Sequence, residues 1–356
     1  MERLVRLLDD RNPWVRKSSI EAIVKKASEG VTAPEAFERL VGLLKDPDGR
    51  VRRSALRAVR AYVERGFMSE GAVPLLEGFL VEEDPDVKCD AIAAIRNHLV
   101  EGVHSEKLLE KLEDFLRDSN SNVRRNAALA AMVYALNGYV SQEAFRQLLR
   151  LLRDDRSLEV RGGVALALAA YADRGLLDVG VLRDVELLLR ASSSTVRSSA
   201  ASMLMAYAEK GHVSRSAFEL MKDALREEED SQARRSIVMA LAAYAGKNVV
   251  SEEVFRMLIE ALNDPSVEVK RAAALALMEY SFRGFVSREA LKAIAPLLRI
   301  PDRKLLRDVL EVVKVHALKG IVSAVVLREL KKMSMEEGLK EAVDEVLELY
   351  AKEGLT

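Results

Sequence analysis

Apolar positions along this chain come in two alternating kinds of segment, and the alternation repeats about every 36 residues. The first kind is typified by Ser141 and the stretch Gln142-Glu143-Ala144-Phe145-Arg146-Gln147-Leu148-Leu149-Arg150-Leu151-Leu152, whose apolar side chains share one side of a helix. The second kind opens on Val-Arg, runs through small apolar residues and closes on Gly fifteen positions after the Val. Its first column reads Val15, Val51, Val87, Val123, Val160, Val196, Ala233, Val269, Leu305, Leu339. The closing column reads Gly30, Gly66, Gly102, Gly138, Gly175, Gly211, Asn248, Gly284, Gly320, Gly354. A fixed period of this length predicts helix pairs that bury their apolar faces only by stacking on neighbours.

Start and stop signals sharpen the boundaries. Ser69, Ser105, Ser141, Ser214, Ser251, Ser287 and Ser323 stand where the first helix of a pair begins, with Asp178 substituting once. Their oxygens suit the free backbone N–H groups of a helix start. Ala33 holds that slot in the first inter-repeat turn, followed by Pro34 at a position where a missing N–H costs nothing. Asp-bearing turns then separate the two helices, as at Asp46-Pro47-Asp48, Asp84-Pro85-Asp86, Asp154-Asp155 and Asp264-Pro265. Gly just past a helix end takes the left-handed conformation cheaply and Asn is the next-best choice, so Asn248 fits the column. Ten pairs and twenty helices are predicted.

The turn Asp, the Val-Arg pair and the Ala-rich second helix, as in Asp46-Pro47-Asp48-Gly49-Arg50-Val51-Arg52-Arg53-Ser54-Ala55, resemble the HEAT-repeat family over essentially the whole chain. Phycobilin lyase relatives share this form of the repeat. The resemblance implies an all-α fold: one α-solenoid over 1–356, with repeats near 1–30, 31–66, 67–102, 103–138, 139–175, 176–211, 212–248, 249–284, 285–320 and 321–356. The last two copies depart most. Leu306 replaces the Arg, and Met333-Ser334-Met335 replaces the Asp turn. The resemblance also implies a structural role for Arg16, Arg52, Lys88, Arg124, Arg161, Arg197, Arg234 and Lys270, each meeting turn aspartates of its own and adjacent repeats. Asp46, Asp84, Asp118, Asp154 and Asp264 are the expected acceptors.

Composition changes this picture little. The net charge of −1 gives no global pull toward nucleic acid or an acidic membrane surface. A single cysteine, Cys89, excludes an internal disulfide. The charged start Met1-Glu2-Arg3-Leu4-Val5-Arg6 lacks a signal-peptide core, and the uncharged run Gly162–Ala172, interior to the chain, is too short for a membrane span. A cytoplasmic, non-membrane protein is expected. Charged residues at 31% and only three Gln lean toward a thermophile-like composition.

The sequence lacks the usual catalytic constellations. Iron-dependent deoxyhypusine hydroxylase has this architecture but needs His-Glu pairs, and none of His98, His104, His212 and His316 precedes a Glu. Four residues before the Gly, a column reads Tyr62, His98, Tyr134, Tyr171, Tyr207, Tyr244, Tyr280, His316, Tyr350, so two of these histidines fall in a packed aromatic slot. HEAT-like glycosylases use aromatics and an acid in a basic cleft, and only Trp14 is on offer, beside an ordinary turn. No metal, cofactor or enzymatic activity is expected.

Function is sought instead on the second helices. Counting the Val as zero at 100° per residue, positions 0, 4, 7, 8, 11 and 12 are apolar and form the buried stripe, while 2, 6, 9 and 13 face away from it. In HEAT-like solenoids that side lines the concave surface. Here it carries Leu129, Met132 and Leu136 in the fourth copy, Leu166 in the fifth, Met205 in the sixth, Met239 in the seventh, and Leu275, Met278 and Phe282 in the eighth. Arg125, Arg235 and Arg271 stand at position 2. Such a trough suits an amphipathic helix or peptide of a protein partner, with the arginines meeting acidic flanks. Burial of the trough by self-packing or in a homo-oligomer is the competing explanation. The alternative function is nucleic-acid binding through the basic patch Lys17, Arg50, Arg52, Arg53, Arg57 and Arg60. Residues 1–66 carry 15 basic and 10 acidic side chains, and residues 331–356 carry 4 and 7, a polarity that would orient a partner or a second copy.

Overall fold

The computed structural model describes residues 1–333 and 339–354, and among these it contains twenty α-helices and no strand. Of the atypical turn Met333-Ser334-Met335, only Met333 lies within the described residues. The chain divides into two compact units, Met1–Leu176 and Leu177–Thr356.

In the first unit the second helices are Pro13–Ser28, Gly49–Val63, Pro85–Val100, Ser121–Leu136 and Leu158–Asp173, each packed on the next. In the second unit they are Ser194–Glu209, Ser231–Gly246, Val267–Phe282, Arg303–Leu318 and Lys340–Lys352, again each against the next. The Val column is buried from Val51 to Leu339. Repeat-to-repeat stacking thus replaces a central core, as the period predicts.

All the closing glycines from Gly30 to Gly354 have positive φ, and Asn248 is the one non-Gly residue among the described residues that does, at 63°. The amide after each turns back onto the preceding helix. Tyr139 donates to the Tyr134 carbonyl at 2.8 Å, and Val249 donates to the Tyr244 carbonyl at 3.0 Å. These are the six-to-one bonds of a Schellman stop. The column residue also reaches the start of its own pair. Tyr134 donates its hydroxyl to the Ser105 carbonyl at 2.6 Å, and the Tyr207 hydroxyl accepts from the Asp178 amide at 3.3 Å. His98 and His316 occupy this slot fully buried, as the aromatic column implies.

First helices are less regular. Ser105, Ser141, Ser214, Ser251 and Ser287 accept from the amide three residues on, so the predicted caps form there. Ser69 does not cap with its side chain, because the third pair opens on a 3-10 turn, Glu70–Ala72. Only Val73–Leu76 is α-helical before a second 3-10 stretch, Glu77–Val81. Gly71, Pro74 and Gly78 explain this break. Pro296 likewise falls in the 3-10 stretch Ala295–Arg299 that follows Arg288–Ile294.

The Val-Arg arginines form a ladder along the turns. Arg124 gives one guanidinium nitrogen to the carbonyls of Asp118 and Ser119 in its own turn, both at 2.8 Å. Its other nitrogens form a fork onto Asp155 of the next turn, at 2.7 and 3.1 Å. Arg16 with Asp46, Arg197 with Glu228 and Arg234 with Asp264 repeat the fork. The same carboxylate then accepts a turn amide: Asp155 from Ser157 at 2.8 Å, Asp264 from Ser266 at 2.8 Å. Two expected acceptors differ. Asp154 ends the helix Gln142–Asp154, leaving Asp155 in the turn, and Asp84 caps Pro85–Val100 through the Asp86 amide. Lys88 reaches Asp118 at 3.1 Å. With both sides of the fork saturated, these arginines hold adjacent repeats together and are not available to a phosphate.

Candidate functional site

The outward positions of the second helices are neither core nor freely solvated. In the first unit Leu129, Met132 and Leu166 are half-buried, while Leu136 is 54% exposed at a helix end. In the second unit Met205, Met239, Leu275 and Met278 are half-buried and Phe282 is 56% exposed. Core neighbours one residue away on the same helices, such as Val133 and Leu277, are sealed from solvent. Each unit therefore keeps its own apolar face partly open.

Close helix approach sets how far each face is covered. A Cβ on Gly163 would lie 3.4 Å from the Arg125 side chain and 3.5 Å from the Arg125 carbonyl, so Gly163 lets Leu158–Asp173 press against Ser121–Leu136. Ser198 and Ser236 meet across two helices of the second unit, oxygen to oxygen at 2.9 Å. Further along these helices, Met205, Met239, Ala242, Leu275 and Met278 line one depression of about 380 Å³, whose wall also includes Glu209, Lys247 and Glu279. The structure thus brings four of the predicted contact residues together. Phe282 lies outside that lining.

The predicted arginines do not behave alike. Arg271 pairs with Glu268 at 3.2 Å and Asp308 at 3.4 Å. Arg235 approaches Glu268 at 3.9 Å. Arg125 has no ion-pair or hydrogen-bond partner among the described residues. On the outward face of the second helices, Val100, 62% exposed, and Leu318, 60% exposed, were not picked out from the sequence. Both stand at position 13 of their helices, so projecting the third and ninth copies in the same way would have found them.

The basic patch is largely neutralised from within. Lys17 pairs with Glu21 at 2.7 Å and Arg50 with Asp48 at 2.8 Å. Arg50 also stacks over the exposed Trp14 ring at 4.5 Å. Arg52 is turned onto the Asp46 carbonyl at 2.8 Å. Arg53 lies 3.6 Å from Asp84, and Asp90 takes both Arg57 at 3.6 Å and Arg60 at 2.6 Å. The Arg50 hydrogen bond holds the Asp48 carboxyl well below the usual carboxylate range.

Groups with conventional reactivity are muted. Burial pushes the Cys89 thiol up to about 11, so little thiolate is present near neutrality. Burial lowers the pKa of His316, which donates from Nδ1 to the Val312 carbonyl at 2.9 Å when that nitrogen carries the proton. His104 packs edge-on to Tyr139 at 5.0 Å. Among the described residues no group of three or more His, Cys, Asp or Glu side chains could hold a metal ion, and no helix is long and apolar enough to cross a membrane.

These features agree with the comparisons to known proteins. The family model for HEAT repeats matches residues 1–96, 72–169 and 218–314. The chain belongs to the HEAT-repeat family, an all-α solenoid class that generally serves as a protein-interaction scaffold and is typically non-catalytic. Among solved structures it is similar to the Escherichia coli protein YibA, at 12% identity and a TM-score of 0.55, over 83% of this chain and 96% of that one. That likeness is one of fold. No curated protein matches the chain.

Proposed function

We propose that this protein is a non-enzymatic scaffold that grips a segment of a partner protein on the outward face of its second helices. The observation that carries the reading is the depression lined by Met205, Met239, Leu275 and Met278 in the second unit. Half-buried thioethers on an open face adapt to an apolar side chain supplied by a partner, and methionine is flexible enough to take several shapes. Leu129, Met132, Leu136 and Leu166 give the first unit a face of the same kind. The reading of 1–356 as one array rests on the period, which runs from Gly175 to the cap at Asp178 without a break. A cytoplasmic location fits this role.

Nucleic-acid binding is less favoured, because each arginine of the basic patch already has an intramolecular partner.

Met239→Asp with Met278→Asp tests the reading. The pair should remove a protein partner captured by the wild type from nuclease-treated lysate, while helical content and melting stay close to wild type. Retention of that partner by the double variant would sink the proposal. Collapse of the fold would show the face to be core.

A further inference from the structure

Arg125, half-buried on the outward face of the first unit, is left out of the internal networks. Arg125 has no partner among the described residues, although Arg124 beside it makes four hydrogen bonds. Arg96, on the neighbouring helix Pro85–Val100, reaches only the Asn97 side-chain oxygen at 3.5 Å and has no carboxylate within ion-pair distance. Burial, with Arg60 and Arg125 nearby, holds the Arg96 guanidinium below its usual value, although Glu64 pulls the other way without coming within ion-pair distance. Two half-buried cations, each short of a counter-ion, thus share one face.

An apolar row adjoins them. Val100 is one turn beyond Arg96, and Leu129, Met132 and Leu136 follow Arg125 along the same side of Ser121–Leu136. The Asn137 side chain donates to the Leu99 carbonyl at 2.9 Å, tying the ends of the two helices together beside the exposed Val100 and Leu136. Arg174 in turn donates to the Ala135 carbonyl at 2.8 Å and to the Leu136 carbonyl, which fixes that end without covering the Leu136 side chain. In repeat register the two arginines are seven residues apart, a rise of about 10 Å along the helix axis, with the spacing between two packed helices, about 8–10 Å, added across it.

We propose that the second helices of the third and fourth pairs dock an amphipathic helical segment of a partner protein that presents carboxylates to Arg96 and Arg125 and apolar side chains to Val100 and Leu136. The inference rests on the scaffold reading and adds the partner's chemistry. Charge complementarity selects the occupant: guanidinium forks match carboxylates, and neither fork here has a carboxylate within ion-pair distance. A nucleic-acid strand fits less well. It has no use for the apolar row, and the adjoining depression, where Arg57 and Arg60 are already paired with Asp90 and Glu64, offers a phosphate backbone no further unpaired cation.

The test is to pan a displayed library of random 16-residue peptides against the full-length protein and measure enriched peptides by fluorescence polarisation. Enriched sequences should carry Asp or Glu three or four residues from Leu, Met or Phe. Arg96→Ala with Arg125→Ala should weaken them by roughly thirtyfold or more, since a charge-assisted bond contributes on the order of tenfold. Arg96→Lys with Arg125→Lys should fall between, retaining charge but losing the fork, and Val100→Asp should also weaken binding. Peptides enriched without acidic residues, binding the alanine double variant as well as wild type, would overturn the inference yet leave the scaffold reading standing. No enrichment at all would count against both. A single-stranded DNA 20-mer whose binding is lost in the alanine variant and falls steeply with salt would replace the peptide with nucleic acid.

Discussion

Arg124 and Arg125 are adjacent in sequence, carry the same guanidinium, and belong to two different regions of the molecule. Arg124 lies on the turn edge, where Asp155 on one side and two backbone carbonyls on the other saturate it. Arg125 lies on the outward face, where nothing among the described residues answers it. Along the turn edge the polar groups close on one another, repeat to repeat. Along the face, methionines and leucines are left half-covered, with Arg125 unpaired among them. Residue type alone therefore does not say whether a charge is held by the fold, and neither does place in the period: Arg271 and Arg125 share position 2, yet only Arg271 has carboxylate partners.

The largest test of that contrast is Arg124→Ala. It strands Asp155, which is almost wholly buried, and should cost about 3 kcal/mol of unfolding free energy, because an uncompensated buried carboxylate remains. Chemical denaturation measures it, and Arg125→Ala measured alongside should shift stability by less than about 0.5 kcal/mol. Equal losses in the two variants would erase the distinction between edge and face.

A smaller effect comes from the packed column behind the face. His316 is fully buried and its pKa is lowered from 6.5, chiefly by burial. The folded state therefore prefers the neutral ring, and the unfolded chain takes the proton near its ordinary value. This contribution to stability is complete above about pH 6.5 and is lost as pH falls below it. Melting temperature should drop more between pH 8 and pH 5 in the wild type than in His316→Tyr, which restores the residue used in most repeats. Parallel curves would refute the assignment.

The smallest expected effect is Arg53→Ala. The side chain is about half exposed and lies 3.6 Å from a half-exposed Asp84. An ion pair of this kind contributes about 0–0.5 kcal/mol, so the melting curve should scarcely move. A drop as large as that of Arg124→Ala would place position 2 within the ladder.

Much of this is legible in the sequence. The Gly column marked the helix ends because only glycine, or asparagine at Asn248, accepts positive φ cheaply. The Tyr column marked a buried slot and correctly absorbed His98 and His316. Where the first helices break, at Pro74 and Pro296, the sequence carried the cause, yet the boundaries between α and 3-10 turns depend on how each segment packs. The ladder acceptor slipped from Asp154 to Asp155 because one residue of helix length decides which carboxylate faces the next Arg.

The repeat, the helix pairs and the side of each second helix that turns outward can be read from the chain alone, since periodicity and helix-stop chemistry are local. Which charges are neutralised within the molecule depends instead on how the repeats pack. Arg57 and Arg60 converge on one Asp90, Arg271 is shared by Glu268 and Asp308, and Arg125 is left without a partner. Those outcomes depend on the spacing and register of neighbouring helices, which small residues such as Gly163 set by letting backbones approach. No pattern within a single repeat encodes them.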